Sequence, residues 1–301
     1  GIVALSNTYY GDADGYTVLA FPAAFLAPIQ STSLEFGLED FDYLACMTIS
    51  PEAILTSKNS DITTIDEILT NAISNPGKQK WCGPGSGTLD HLMAVKIWNT
   101  AGINCKWIPY NGGGPAIASV MGNHSDVYVG NPEDIIGRET NLHIAAIASE
   151  ERMDRFPDTP TFKEKGIPLT DDVMWRAFAV KSGTPKEVVD YLKNILHQVY
   201  EDERWIRFVK TIGVQSVFIE GEALDEMVIK DALSAKEYLQ IAGFSIGEKV
   251  DSAPYPIVLL LLNLLVFFGI VYSLKEKLGF KFNNTLFISI GGLSISAMFF
   301  Y

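Results

Sequence analysis

The chain has 301 residues, 48% of them hydrophobic, with a formal net charge of -13. Only Lys275, Glu276, Lys277 and Lys281 are charged after residue 251, so the preceding stretch is more acidic still. Such a surface repels phosphate backbones and excludes nucleic acid as a partner. Three scattered cysteines, Cys46, Cys82 and Cys105, form no disulfide framework; one bridge or three small buried side chains both fit. There is no CxxC and no compact Cys/His metal spacing, and no cofactor is expected.

In chain order, VLAF (18–21) reads as a short strand, DYLACMTI (42–49) as a second apolar run and EAILTS (52–57) as a third. DITTIDEILTNAI carries a helix start. Thr63 or Thr64 can cap, Asp66 and Glu67 sit in the first turn, and Ile65, Leu69 and Ile73 repeat at helical spacing. After Pro76-Gly77, Lys80–Cys82 leads into GPGSGTLDHLMAVKIWNTAG (83–102): strand, glycine loop, then a helix that Gly102 stops. CKWIPY (105–110) with NGGGP (111–115), and SDVYVG (125–130) with NPEDIIG, repeat the pattern; LHIAAIAS (142–149) is a further strand. MWRAFAVKSGTP opens a new stretch, two helices follow from Pro185, and EALDEMVIKDALSAKEYLQIAG is another. Strands alternating with short helices predict α/β lobes with mostly parallel sheets.

From Ser252 to Leu274 the chain has 23 residues without a charge, and Phe282–Tyr301 has 20 more. About 20 apolar residues span a bilayer. Transmembrane helices are therefore expected at 254–274 and 282–301. KEKLGFK makes 275–281 a cytoplasmic loop, placing the preceding domain on the periplasmic or extracellular side of a cell membrane. The first residues lack a signal-peptide pattern, so a processed or partial N-terminus is expected, as is a truncated second helix.

The loop GPGSGTLDHL concentrates the chemistry. Glycines let backbone approach a ligand, and free N–H groups at a helix start hold an anion without Lys or Arg. Ser86 and Thr88 add hydroxyls. The alternative is an ordinary strand–helix turn with Thr88 as N-cap. No GK[ST] and no GxGxxG occurs, which argues against a nucleotide. NGGGP is either a second anion loop or a flexible turn, and Asn131 either donates to a carboxylate or caps. His91 either touches the ligand or bonds within its helix. No GxSxG or HExxH is present, the pair Asp126/Asp134 has no partner in an obvious loop, and no catalytic residue is assigned.

These blocks resemble the extracytoplasmic solute-binding proteins of tripartite tricarboxylate transporters. DADGYTVLAF resembles the family's PDGYTLL, and GPGSGTLDHLMAVKIWNTAGI its SSGxGSxxHL loop and helix. WIPYNGGGPAIASVMGNHSDVYVGN resembles VPYKGxxPA…VDxxF.N. DRFPDTPTFKEKGIP and SGTPKEVVDYL resemble two later blocks. The resemblance implies a two-lobed α/β periplasmic-binding-protein-like (type II) fold that captures a small organic carboxylate and delivers it to integral membrane permease subunits. It assigns ligand contact to Gly85, Ser86, Gly87, Thr88 and His91, to Tyr110, Asn111, Gly112 and Gly113, and to Asn131, with no metal. An N-terminal block of the family has no counterpart here, so a truncated member with lobe one incomplete is expected; the membrane hairpin read from the uncharged runs, with the lipid bilayer as a partner, departs from the family's free-standing members. Lobe one is expected at 1–52 and 173–250 and lobe two at 53–172. Asn111 replaces the usual Lys and Asp90 precedes the His, so the cleft is less positive than the family pattern. A ligand-sensing ectodomain and a carboxylate-acting enzyme are the competing readings.

Overall fold

A computed structural model describes residues 1–249. Two sheets organise them. The first has four strands in the order β1 (Leu19–Pro22), β8 (Val173–Lys181), β2 (Phe41–Pro51) and β9 (Gln215–Ile219). The second has five, in the order β5 (Lys106–Tyr110), β4 (Lys80–Pro84), β6 (Val127–Gly130), β3 (Ala53–Ser57) and β7 (Leu142–Ile147).

Helices α1 (Ile2–Tyr10), α2 (Leu26–Ser31) and α8 (Glu222–Ile241) share one core with the first sheet. Leu5, Phe21, Leu26, Trp175, Leu224 and Leu239 fill it, with the Phe21 and Trp175 rings stacked 6.0 Å apart. Helices α6 (Lys186–Glu201) and α7 (Glu203–Ile212) flank β9. In the second unit α3 (Ile65–Ser74), α4 (Leu89–Ala101) and α5 (Gly113–Met121) cover the sheet. Ile54, Trp81, Met93 and Phe162 pack on one side of it and Leu55, Cys82, Ile117 and Ile144 on the other.

Local chemistry sets the helix ends. Thr64 caps α3 by accepting from the Glu67 N–H, and the Glu67 carboxylate accepts from the N–H groups of Thr63 and Thr64. Gly102 ends α4 in the left-handed conformation, φ 64°, where its N–H reaches the Trp98 carbonyl. All three cysteines are free and buried, so no bridge forms.

The chain crosses between the sheets at two adjoining places. The Glu52 N–H, between β2 and β3, donates to the Asp172 carbonyl at 2.8 Å, and the Ala148 N–H donates to the Glu52 carbonyl at 2.8 Å. The next residue after Asp172 begins β8.

Several expectations change. The sheets are not mostly parallel. Every pairing in the first is antiparallel, and in the second only β4 with β5 and β4 with β6 are parallel. The expected truncated member with an incomplete first lobe finds no support: the four strands and the helices of the first sheet share a single buried core, and that reading is withdrawn. The expected helices at 254–274 and 282–301 and the loop at 275–281 lie outside the described residues. Among the described residues, no helix is long and apolar enough to cross a membrane. The transmembrane hairpin, the bilayer partner and the cell-membrane placement rested on two uncharged runs and the Lys-rich stretch between them, all outside the described residues. They are withdrawn.

Candidate functional site

Strands β5, β4 and β6 are neighbours and run parallel, so the loops leaving their C-terminal ends line up along one edge of the sheet. Ligands of α/β sheets collect at such edges. The loops are 85–88, 111–112 and 131–134.

In the first loop Gly85 and Gly87 have φ of 63° and 68°, conformations that a side chain would strain. The Gly85 N–H donates to the Tyr110 carbonyl at 2.8 Å, and Trp107 Nε1 donates to the Gly85 carbonyl at 2.7 Å. These bonds tie the first loop to β5. Thr88 caps α4: its Oγ1 donates to the Pro84 carbonyl at 2.6 Å and accepts from the His91 N–H at 3.4 Å. The Gly87 N–H donates to His91 Nδ1 at 3.0 Å. That fixes the neutral His91 tautomer with its proton on Nε2. The ring stacks on Trp107 with centroids 4.7 Å apart and meets the edge of Phe244. Burial lowers the His91 pKa to about 4. Ser86 is exposed, and its hydroxyl makes no hydrogen bond among the described residues.

The second loop differs. Tyr110 Oη donates to Ser119 Oγ at 2.7 Å, which pairs in turn with Ser125, so the hydroxyl is committed to two buried serines at α5 and just beyond it. Asn111 is exposed. Gly112 has φ 104° and stands at the N-cap of α5 without any side-chain cap. The first-turn N–H groups of α5 therefore lack the side-chain oxygen that Thr88 supplies to α4.

The third loop is filled by the protein's own acid. The Asp134 carboxylate accepts from the Asn131 N–H at 3.0 Å and from Tyr128 Oη at 2.9 Å. A Cβ on Gly113 would sit 3.1 Å from Tyr128 Oη, which brings the second and third loops together. The Asn131 side chain turns toward the crossing: Nδ2 donates to the Pro51 carbonyl at 2.9 Å and to Glu52 Oε1 at 3.3 Å.

Sequence reading passed over the acids behind these loops. Glu52 is fully buried and its Oε2 has no partner. Burial first, then Asp90 and Asp172, push its pKa well up. Asp90, on α4, is buried, and burial raises its pKa to about 7. Lys96 pairs with Asp172, and Glu133 accepts from Ser50 and faces Arg176 at 3.8 Å. The available signal was a glutamate opening an otherwise apolar strand run, together with the Asp before His91. Among the described residues, no group of three or more His, Cys, Asp or Glu side chains is arranged to hold a metal.

The arrangement is thus a two-lobed fold with glycine loops along one edge of the second sheet; among the described residues the cationic side chains at these loops are Arg138, which donates to the Asp134 carbonyl at 3.0 Å, and Arg176, which faces Glu133 at 3.8 Å. Comparison with known proteins carries the assignment further. The family model of the tripartite tricarboxylate transporter family receptor matches residues 1–242, and the chain belongs to that family. It is a solute receptor of the transport type and not an enzyme. BugT of Bordetella pertussis is 24% identical over 223 residues, a match covering 72% of this chain and 68% of BugT. The chain therefore spans about two thirds of that relative. Among solved structures, Rpa4515 of R. palustris with adipate superposes with a TM-score of 0.73 at 18% identity, covering 81% of this chain and 84% of that one. MatC from Rhodopseudomonas palustris with bound malate gives 0.69 at 18% identity, covering 79% and 83%. At these identities the likeness establishes the two-lobed fold alone.

Proposed function

We propose that the protein binds a small organic carboxylate, di- or tricarboxylate-like, and delivers it to integral membrane permease subunits. The observation that carries this reading is the uncapped start of α5 beside the glycine loop of β4. Anions are stabilised at helix N-termini by free N–H groups and the helix dipole, and neither needs a lysine. An overall charge of -13 is no obstacle, because these donors act within one turn of the helix. Adipate and malate in the two structural relatives support the ligand class.

In this reading Gly112 and Gly113 offer main-chain donors from the second loop, and Gly85 and Ser86 face the ligand from the first. Thr88, Gly87 and His91 hold the first loop in shape. Tyr110 and Asn131 brace the second and third loops, and Asn111 lies at the rim. Residues 1–52 and 173–250 form the lobe of the first sheet and 53–172 the other. Closure of the lobes over the acid replaces its water with aligned donors, and reopening hands the acid on.

Isothermal titration with succinate, adipate, malate and citrate tests the reading. At least one acid is expected to bind, and Ser86→Ala, which breaks no internal hydrogen bond, should weaken it by about 1–2 kcal/mol. Silence with every acid would remove the function. Binding that Ser86→Ala leaves unchanged would remove Ser86 from the site.

A further inference from the structure

Trp175 and Ala177 of β8 point into the core of the first sheet, so Arg176 between them leaves by the opposite face. It pairs with Pro22, the last residue of β1, and reaches across to the third loop of the second sheet. Arg176 Nη1 donates to Ser50 Oγ at 3.2 Å and to the Met174 carbonyl at 3.4 Å, while Nη2 stands 3.8 Å from Glu133 Oε1. Ser50 in turn donates to that same Glu133 oxygen. The serine steadies the arginine and occupies the acid, and 3.8 Å is too long for a hydrogen bond. Nε and Nη2 of Arg176 make no hydrogen bond among the described residues, and the side chain stays 42% exposed. That edge of a guanidinium carries two parallel N–H groups, the shape that grips both oxygens of one carboxylate. Burial raises the Glu133 pKa, which makes it a weak counter-charge.

The third loop connects Arg176 to the anion loops. Asp134, next to Glu133, accepts from Tyr128 Oη, and a Cβ on Gly113 would lie 3.1 Å from that oxygen. The start of α5 and Arg176 therefore border one loop, each from its own lobe. Arg138, the loop's other cation, belongs to the same lobe as the loop and donates to its carbonyls at Asp134 and Ile136.

We propose that Arg176 binds the second carboxylate of a dicarboxylate whose first carboxylate lies at the start of α5, so that the receptor selects diacids over monoacids. Main-chain donors suffice for one anionic group, but a second negative charge enters a chain of net charge -13, and a cation offsets it. Because the two grips come from different lobes, a diacid touches both and favours the closed form. The inference rests on the carboxylate reading and adds the residue that sets its specificity.

Titration calorimetry on the whole chain compares succinate with butyrate and adipate with hexanoate, each pair matched in carbon number. The wild type is expected to prefer the diacid of at least one pair by about tenfold or more. Arg176→Gln should erase that preference by weakening the diacid while leaving the monoacid unmoved. Arg176→Lys keeps the charge without the paired N–H groups and should retain only part of it. Arg138→Gln removes the same charge from the loop's own lobe and should leave the preference intact. Equal binding of diacid and monoacid by the wild type overturns the proposal. So does a preference that survives Arg176→Gln, an equal loss for both acids in that variant, or a loss of preference in Arg138→Gln as large as in Arg176→Gln. If Arg176→Gln does not fold, Arg176→Lys decides, and an undiminished preference there overturns the proposal. Each of these outcomes leaves the carboxylate reading standing; a wild type that binds none of the four acids removes both.

Discussion

Asp90 and His91 are neighbours on α4, and burial moves their pKa values in opposite directions because it disfavours whichever form is charged. His91 falls to about 4, below its ordinary value, so the unfolded chain takes up the proton first. Its stabilising effect is present at neutral pH and is lost as pH falls from about 6.5 to about 4. Asp90 rises to about 7, above its ordinary value, so the folded chain holds the proton more tightly. Its contribution is greatest in acid and is lost as pH climbs from about 4 to about 7. The two slopes offset each other over the same window. Asp90→Asn should therefore be more stable than wild type at pH 7.5 by on the order of 2–4 kcal/mol, with the gap closing near pH 4. Urea unfolding at pH 4.5 and 7.5 checks this, and a gap independent of pH would refute the assignment. Neither shift was visible in the sequence, where Asp90 and His91 read as polar positions near a loop. His91 is covered by Trp107 and Phe244, 16 and more positions away, and Asp90 lies near Glu52, contacts that no local pattern connects to α4.

Among the elements, the local signals were legible and the long-range pairings were not. The capping box of α3, the Gly102 stop of α4 and the three glycine loops all have causes within a few residues, so composition and spacing disclosed them. Thr88 was legible only as two alternatives; its hydroxyl turned out to be spent on Pro84 and the His91 N–H. The antiparallel first sheet was hidden, because β8 pairs with β1 and β2 from more than a hundred residues away. Nothing in MWRAFAVK states a direction. The partners of Asn131 were hidden for the same reason, since Pro51 and Glu52 lie 80 and 79 residues earlier in the chain, at the turn before β3. Within the second sheet, β4 sits between β5 and β6, and Gly83 is where they come closest. A Cβ there would lie 2.7 Å from the Trp107 ring and 3.2 Å from the Val129 carbonyl. Gly83→Ala should cost about 1–3 kcal/mol through overpacking, read as a lowered urea midpoint at unchanged slope. A variant as stable as wild type would show that β5 can move aside.

At the scale of the molecule, the proposed function has one sheet supply the anion loops and the other the surface that closes against them. The Glu52–Asp172 crossing joins the two, and Asn131 of the third loop bonds Glu52 at that crossing. By the resemblance, Asn111 stands where a lysine is usual, and the proposed function gives the holding to backbone. The most direct test follows the backbone amides themselves by heteronuclear NMR while an organic acid that binds is titrated in. The account predicts that the largest shifts fall on the N–H groups of Gly113, Gly114 and Ser86, with slowed hydrogen exchange at the start of α5. Shifts confined to surfaces away from the three loops, with the α5 amides unmoved, would contradict it.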